Sequence, residues 1–139
     1  MQTNLERAES LLNEEITLAA VCGERVLTYS GRTVKQLLAL AEGDALKGAS
    51  VADKIVGKAA ALLLIKCGVK EVYAKTASRA AEAVLKRHGV PFSYGVMTDC
   101  ILNRDGTGPC PMEATVADIE DCELAFTALN AKVAAMQGR

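Results

Sequence analysis

The order of hydrophobic patterns along this chain predicts an α/β fold. It is a three-layer arrangement in which a mixed sheet, opening with an N-terminal antiparallel hairpin and continuing as a parallel βαβ unit, carries helices on both faces. Three observations carry that prediction. Two β-rich runs, ITLAAVC and RVLTYSG, are separated only by Gly23-Glu24, the spacing of a tight hairpin. Helix-like and strand-like patterns then alternate through the second half, which implies parallel strands joined by right-handed crossovers. Half of the 139 residues are hydrophobic, enough for one domain with a real core and no compositional case for disorder.

Each element follows from its residues. Leu5, Ala8, Leu11 and Leu12 share a helical face, which predicts a first helix over residues 3–15. The hairpin strands follow at 16–22 and 25–31. TVKQLLALAE reads as a short helix from Thr33, and GDALKGA as a polar loop. Ser50 opens the longest helical stretch, SVADKIVGKAAALLLIKCG, which stops at Gly68; its second half is apolar nearly all round and should be buried. VKEVYAK (69–75) is a strand, SRAAEAVLKRHG an amphipathic helix ending at Gly89, and VPFSYGVM (90–97) the next strand. A loop dense in Gly and Pro follows, ILNRDGTGPCPME over 101–113. Residues 112–137 close the chain as one helix or two, with the break near 119–121. No repeat or linker interrupts the chain, so residues 1–139 form a single domain, its core spanning about 16–113 and its C-terminal helical segment about 111–137.

Composition excludes several function classes. A formal charge of −1 and a pI near 5.9 argue against a nucleic-acid partner held on a broad basic face. The acidic start MQTNLERAESLLNEE lacks the features of a secretory signal, and the longest apolar run, Ala59 to Ile65, is too short to cross a bilayer. A cytoplasmic protein without a membrane partner is expected. There its five cysteines should be reduced, with Cys22 and Cys67 buried as small hydrophobes. The lone histidine, His88, sits in the basic end KRHG of a helix, where a cation complements the dipole.

The phrases LKGASVADKIVGKAAALLL, GVKEVYA and ILNRDGTGPCPME resemble an uncharacterised family of about this length, a domain of unknown function assigned to the cytidine-deaminase-like fold. The resemblance runs from about Ile16 to Glu113 and implies a fold rather than an activity. Zinc deaminases place His-x-Glu or Cys-x-Glu at the start of the first buried helix and Pro-Cys-x-x-Cys at the start of the helix after the next strand. The corresponding stretches here read SVADK and KTASRAAEAVL, with no such ligands. Pro109-Cys110-Pro111-Met112-Glu113 lies one strand too late and carries Glu113 where the second Cys belongs. No metal or other cofactor is therefore implied.

Candidate site residues come from the helix read at 50–67 and from the 101–113 loop. Ser50-x-x-Asp53 is a capping-box variant, and the deaminase likeness also makes Asp53 a polar floor for a pocket. Lys54 and Lys58, four residues apart on one helical face, repel each other unless an anion or carboxylates such as Asp105 or Glu113 face them. The amide end of that helix is suited to an anion. In the loop, Asn103, Arg104 and Asp105 precede two glycines whose amides can form an anion-receptive nest, and Arg104 can grip phosphate or carboxylate with two prongs. Pro111 suits a first helical turn, which leaves Cys110 near amides that stabilise a thiolate. The leading expectation is a zinc-free domain binding a small anionic, nucleotide-like metabolite through Lys54, Lys58, Asn103, Arg104 and Asp105. The second is a thiol enzyme or redox-sensitive protein using Cys110, with Asp53 or Glu113 moving protons. The third is an interaction module, a homo-oligomer formed through the terminal helices at 3–15 and 121–137.

Overall fold

The computed structural model describes residues 2–31, 33–101 and 110–137. Its elements run α1 (Asn4–Leu11), β1 (Ile16–Cys22), β2 (Arg25–Ser30), α2 (Thr33–Leu40), β3 (Ser50–Val56), α3 (Lys58–Cys67), β4 (Glu71–Ser78), α4 (Arg79–Arg87), β5 (Phe92–Thr98), α5 (Pro111–Val116) and α6 (Cys122–Gln137). The strands form one mixed five-stranded sheet in the order β2-β1-β3-β4-β5. β1 pairs antiparallel with both β2 and β3, whereas β3, β4 and β5 run parallel.

The main departure from expectation is at residues 50–56. They form the central strand of the sheet, not the first turns of a helix. Val51, Ile55 and Val56 are β-branched, and Ser50 to Asp53 are buried without interruption, as in a strand covered on both faces. Such a run has lost the alternation that marks half-buried strands, so periodicity cannot separate it from a buried helix. Pairing decides the matter: Leu18 sits opposite Asp53 on one side, and Ala74 opposite Asp53 on the other. The capping box at Ser50 and Asp53 accordingly does not form. The Ser50 hydroxyl instead donates to Glu71 Oε2 at 2.6 Å across the β3–β4 pair.

Smaller corrections follow the same logic. α1 is shorter than expected, starting after Thr3, whose side chain accepts from the Glu6 amide while Glu6 Oε1 accepts from the Thr3 amide. Asn13 Oδ1 then accepts from the amides of Glu15 and Ile16, both at 2.8 Å, and turns the chain into β1. Cys22 is exposed at the end of the hairpin strand, whereas Cys67 is buried as expected. The last helical segment is two helices, interrupted at residues 117–121.

α1 covers one face of the sheet, where Ala8, Leu11 and Leu12 meet Ala19, Val21, Ala52 and Tyr73. Successive residues of a strand point to opposite faces, so Leu18 and Ala20 of β1 face the other layer. There they join Leu37 and Leu38 of α2, Leu62 to Leu64 of α3, Val84 and Leu85 of α4, and Ala125 and Leu129 of α6. α3 is the core helix: Leu62, Leu63 and Leu64 are all fully buried, each worth roughly 1.5–3 kcal/mol of apolar burial. No helix among the described residues is long and apolar enough to cross a membrane.

Candidate functional site

The central strand ends at Val56, and Gly57 turns the chain directly into α3. Gly57 is the N-cap of that helix and has no side chain with which to cap it. The cap comes from far along the chain. Glu113, in the first turn of α5, sets its carboxylate over the helix start, where Oε1 accepts from the Lys58 amide at 2.7 Å and Oε2 from the Ala59 amide at 2.8 Å. One carboxylate thus satisfies two of the amides that a helix start leaves open, at the end where the dipole favours negative charge. The fit demands glycine at 57, because a Cβ there would lie 2.4 Å from Glu113 Oε1 and 2.5 Å from its Cδ.

Lys58 begins α3 with its side chain buried. Its ammonium donates to the Ala117 carbonyl at 3.0 Å and pairs with Glu120 Oε2 at 2.5 Å. Glu120 also pairs with Arg87 at the end of α4. His88 Nε2 lies 3.3 Å from the Glu120 carbonyl oxygen. The turn between α5 and α6 is therefore tied to the start of α3 and the end of α4. Burial lowers the Lys58 pKa from its ordinary value, with the Arg87 charge adding to the effect and Asp118 and Glu113 opposing it.

This arrangement redistributes the sequence-predicted residues. Lys54 and Lys58 do not share a helical face, since Lys54 is half-buried in β3 and Lys58 is the first residue of α3. Glu113 and Lys58 are brought together, but through the Lys58 backbone amide; the side chain goes to Glu120. Asp53 is fully buried in the central strand, with Oδ1 accepting from the Ile55 amide at 3.4 Å. Cys110 is the half-exposed N-cap of α5; its amide donates to the Ile101 carbonyl at 3.0 Å, and its thiol makes no capping hydrogen bond. Asn103, Arg104 and Asp105 lie outside the described residues. Among the described residues, no group of three or more His, Cys, Asp or Glu side chains is placed to hold a metal ion.

Sequence reasoning missed three participants. Gly57 had a signal, a glycine inside an apolar run, where a helix would lose roughly 1 kcal/mol relative to Ala. Glu120 and Arg87 had none, because each looks like any surface charge until the chain is folded.

The chain matches, over residues 7–133, the TM1506 family, described as a domain of unknown function (DUF1893). Among solved structures it is similar to a DUF1893 family protein (TM1506) from Thermotoga maritima. The TM-score is 0.77 and the identity 31%, covering 84% of this chain and 80% of that one. No curated protein matches it. With a family match over nearly its whole length and a solved relative of the same family, this chain belongs to the DUF1893 family.

Proposed function

We propose that this chain is a deaminase-like domain without zinc that receives one anionic group of a small, nucleotide-like metabolite at the amide end of α3. The observation that carries the reading is the Glu113 carboxylate: two adjacent amides already hold an oxyanion there, at 2.7 and 2.8 Å. A ligand phosphate or carboxylate would take the position that Glu113 fills. The place suits a ligand in a second way, because α3 starts where β3 ends. In open α/β sheets ligands gather outside the carboxyl ends of parallel strands.

The deaminase likeness is supported by an antiparallel β1–β2 pair preceding three parallel strands, with α3 and α4 both packed into the same core layer. "Nucleotide-like" rests on that likeness alone. Thermal unfolding at constant ionic strength tests the reading, with phosphate, sulfate and AMP added to wild type and to Glu113→Ala. Glu113→Ala should melt lower by itself and gain more from phosphate and AMP than wild type does, by mass action on the vacated amides. The proposal fails if these anions shift both proteins no more than chloride does.

A further inference from the structure

We propose that β5 is a self-association edge, to which a second copy of this chain adds its own β5 in antiparallel fashion so that one sheet runs through both copies. β5 is the last strand in the sheet order, and its outer edge has no strand partner among the described residues. Natural sheets protect such edges with charges, prolines, bulges or covering segments. The opposite edge strand, β2, has that protection: it carries Arg25, whose guanidinium reaches the Ala45 carbonyl, while Gln36 of α2 reaches the Ser30 carbonyl. β5 reads FSYGVMT, with neither a charge nor a proline in it.

The strand is exposed from Ser93 to Val96 and presents apolar side chains there. Tyr94 is 43% and Val96 59% exposed, and in the row that pairs Ile55 with Thr76 and Thr76 with Val96, Ile55 is 53% exposed. Antiparallel addition lets the unpaired backbone groups of the two edges satisfy one another, with the exposed Tyr94 and Val96 of each copy covered by the other.

Charge selects the second copy and the antiparallel sense. The chain enters β5 from the basic corner Lys86-Arg87-His88, where Arg87 is already paired with Glu120 and Lys86 is exposed, and leaves it at Asp99. Antiparallel pairing brings Asp99 of each copy toward the basic corner of the other, whereas parallel pairing would set like ends together. Asp99 is already paired with Arg79 at 2.8 Å, but both side chains are largely exposed, at 88% and 71%, so that pair is weak and leaves Asp99 able to take a second cation. A pairing of seven-residue strands with two exposed large apolar side chains each is smaller than the roughly 800 Å² per partner of a stable complex, so the dimer is reversible and concentration-dependent.

Sedimentation velocity from low micromolar to near-millimolar protein tests this on wild type, Val96→Lys and Tyr94→Lys. Both substitutions are at exposed positions and place the missing charge on the edge. Wild type should dimerise with rising concentration, and each lysine variant should weaken the dimer by about tenfold or more while its melting as a monomer stays unchanged. Asp99→Lys should weaken it too, through like charge against the basic corner. Should one lysine variant fail to fold, the other reads the same edge. A wild type that stays monomeric throughout overturns the proposal. So does a dimer that neither lysine variant affects, since the copies would then meet elsewhere, as on the terminal helices. A wild type that is monomeric but binds an added extended peptide along β5 also overturns it, in favour of a foreign partner.

Discussion

Replacing Gly57 with alanine isolates the long-range cap of α3. The new methyl group would sit 2.4, 2.5 and 2.8 Å from Oε1, Cδ and Oε2 of Glu113, so the carboxylate must leave. A carboxylate at the end of a flexible side chain moves easily; the cost lies in what it abandons. Two charge-assisted hydrogen bonds are lost, to the amides of Lys58 and Ala59, and Ala59 is fully buried. Bonds of this kind contribute about 1.5–3 kcal/mol each when one partner is charged, and the two share one carboxylate, so Gly57→Ala should destabilise the fold by about 2–4 kcal/mol. Glu113→Ala should cost a similar amount for the same reason. Once the carboxylate is gone, however, the methyl group at 57 has nothing to strike. Urea unfolding of wild type, both single variants and the double variant measures the coupling. The double variant should be little worse than either single one, a departure from additivity of roughly 2 kcal/mol. Additive costs, agreeing to within about 0.5 kcal/mol, would mean that the two residues act independently and that the cap described here is not what glycine at 57 serves.

Other outcomes follow from the same structure. Burial pushes the Cys67 thiol up to about 11, above its ordinary 9.0, so between those values the unfolded chain loses this proton first and stability falls as pH rises. Cys67→Ala should remove about 2 kcal/mol or less of that alkaline loss, measured as urea midpoints at pH 8.5 and pH 10.5. For Lys58 the sign is opposite: its lowered pKa means that the folded chain gives up the proton first, and its contribution grows more favourable as pH climbs toward the ordinary 10.5. Lys58→Met should therefore abolish an alkaline gain and leave the Cys67 loss steeper. Peptide mapping after brief alkylation at neutral pH should find exposed Cys22 and Cys100 labelled ahead of Cys110, and Cys67 last. If Cys110 leads, the thiol-enzyme reading regains ground. Gly95→Ala should cost about 1–3 kcal/mol in urea unfolding, because its Cβ would stand 2.8 Å from the Lys75 backbone carbonyl oxygen, which cannot swing aside as a side chain can.

What the sequence disclosed tracks how local each cause is. The bounds of β1 and β2 fall where the two β-rich runs stop, on either side of Gly23 and Glu24. The last helical segment reads as one helix or two with a break near 119–121, and two helices form, interrupted at 117–121 where Asp118, Glu120 and Asp121 cluster. β3 was not, because a central strand buried on both faces looks apolar all round and its identity lies in the partners on either side. Misreading it placed the start of α3 at Ser50 instead of Lys58 and set Lys54 and Lys58 on one helical face; the strand removes that one of the supports of the anion argument. The cap by Glu113 joins residues 55 positions apart, and nothing in the local sequence of either end announces the other. Glu113 reads locally as an ordinary first-turn acid of α5, which it also is.

The corrected geometry makes the binding proposal narrower and quantitative. Lys58 no longer supplies the attraction: its ammonium is engaged with Glu120 and the Ala117 carbonyl, so among the described residues the receptive feature is the amide pair. A ligand must then compete with a carboxylate tethered to the same protein. The fraction of molecules with the amides vacant sets the apparent affinity, and that fraction is governed by the worth of the Glu113 cap. If the cap contributes about 2–3 kcal/mol, removing it should tighten phosphate or AMP binding by about 30- to 150-fold. Linkage requires the affinity gained by Glu113→Ala to match the coupling found between Gly57 and Glu113, because both measure the same carboxylate leaving the same amides. Isothermal titration of the two proteins with AMP, set beside the urea data, makes the comparison. A large coupling with no gain in affinity would show that the amide end of α3 is a structural joint holding α5 to the core, and the ligand would have to be sought elsewhere on the sheet.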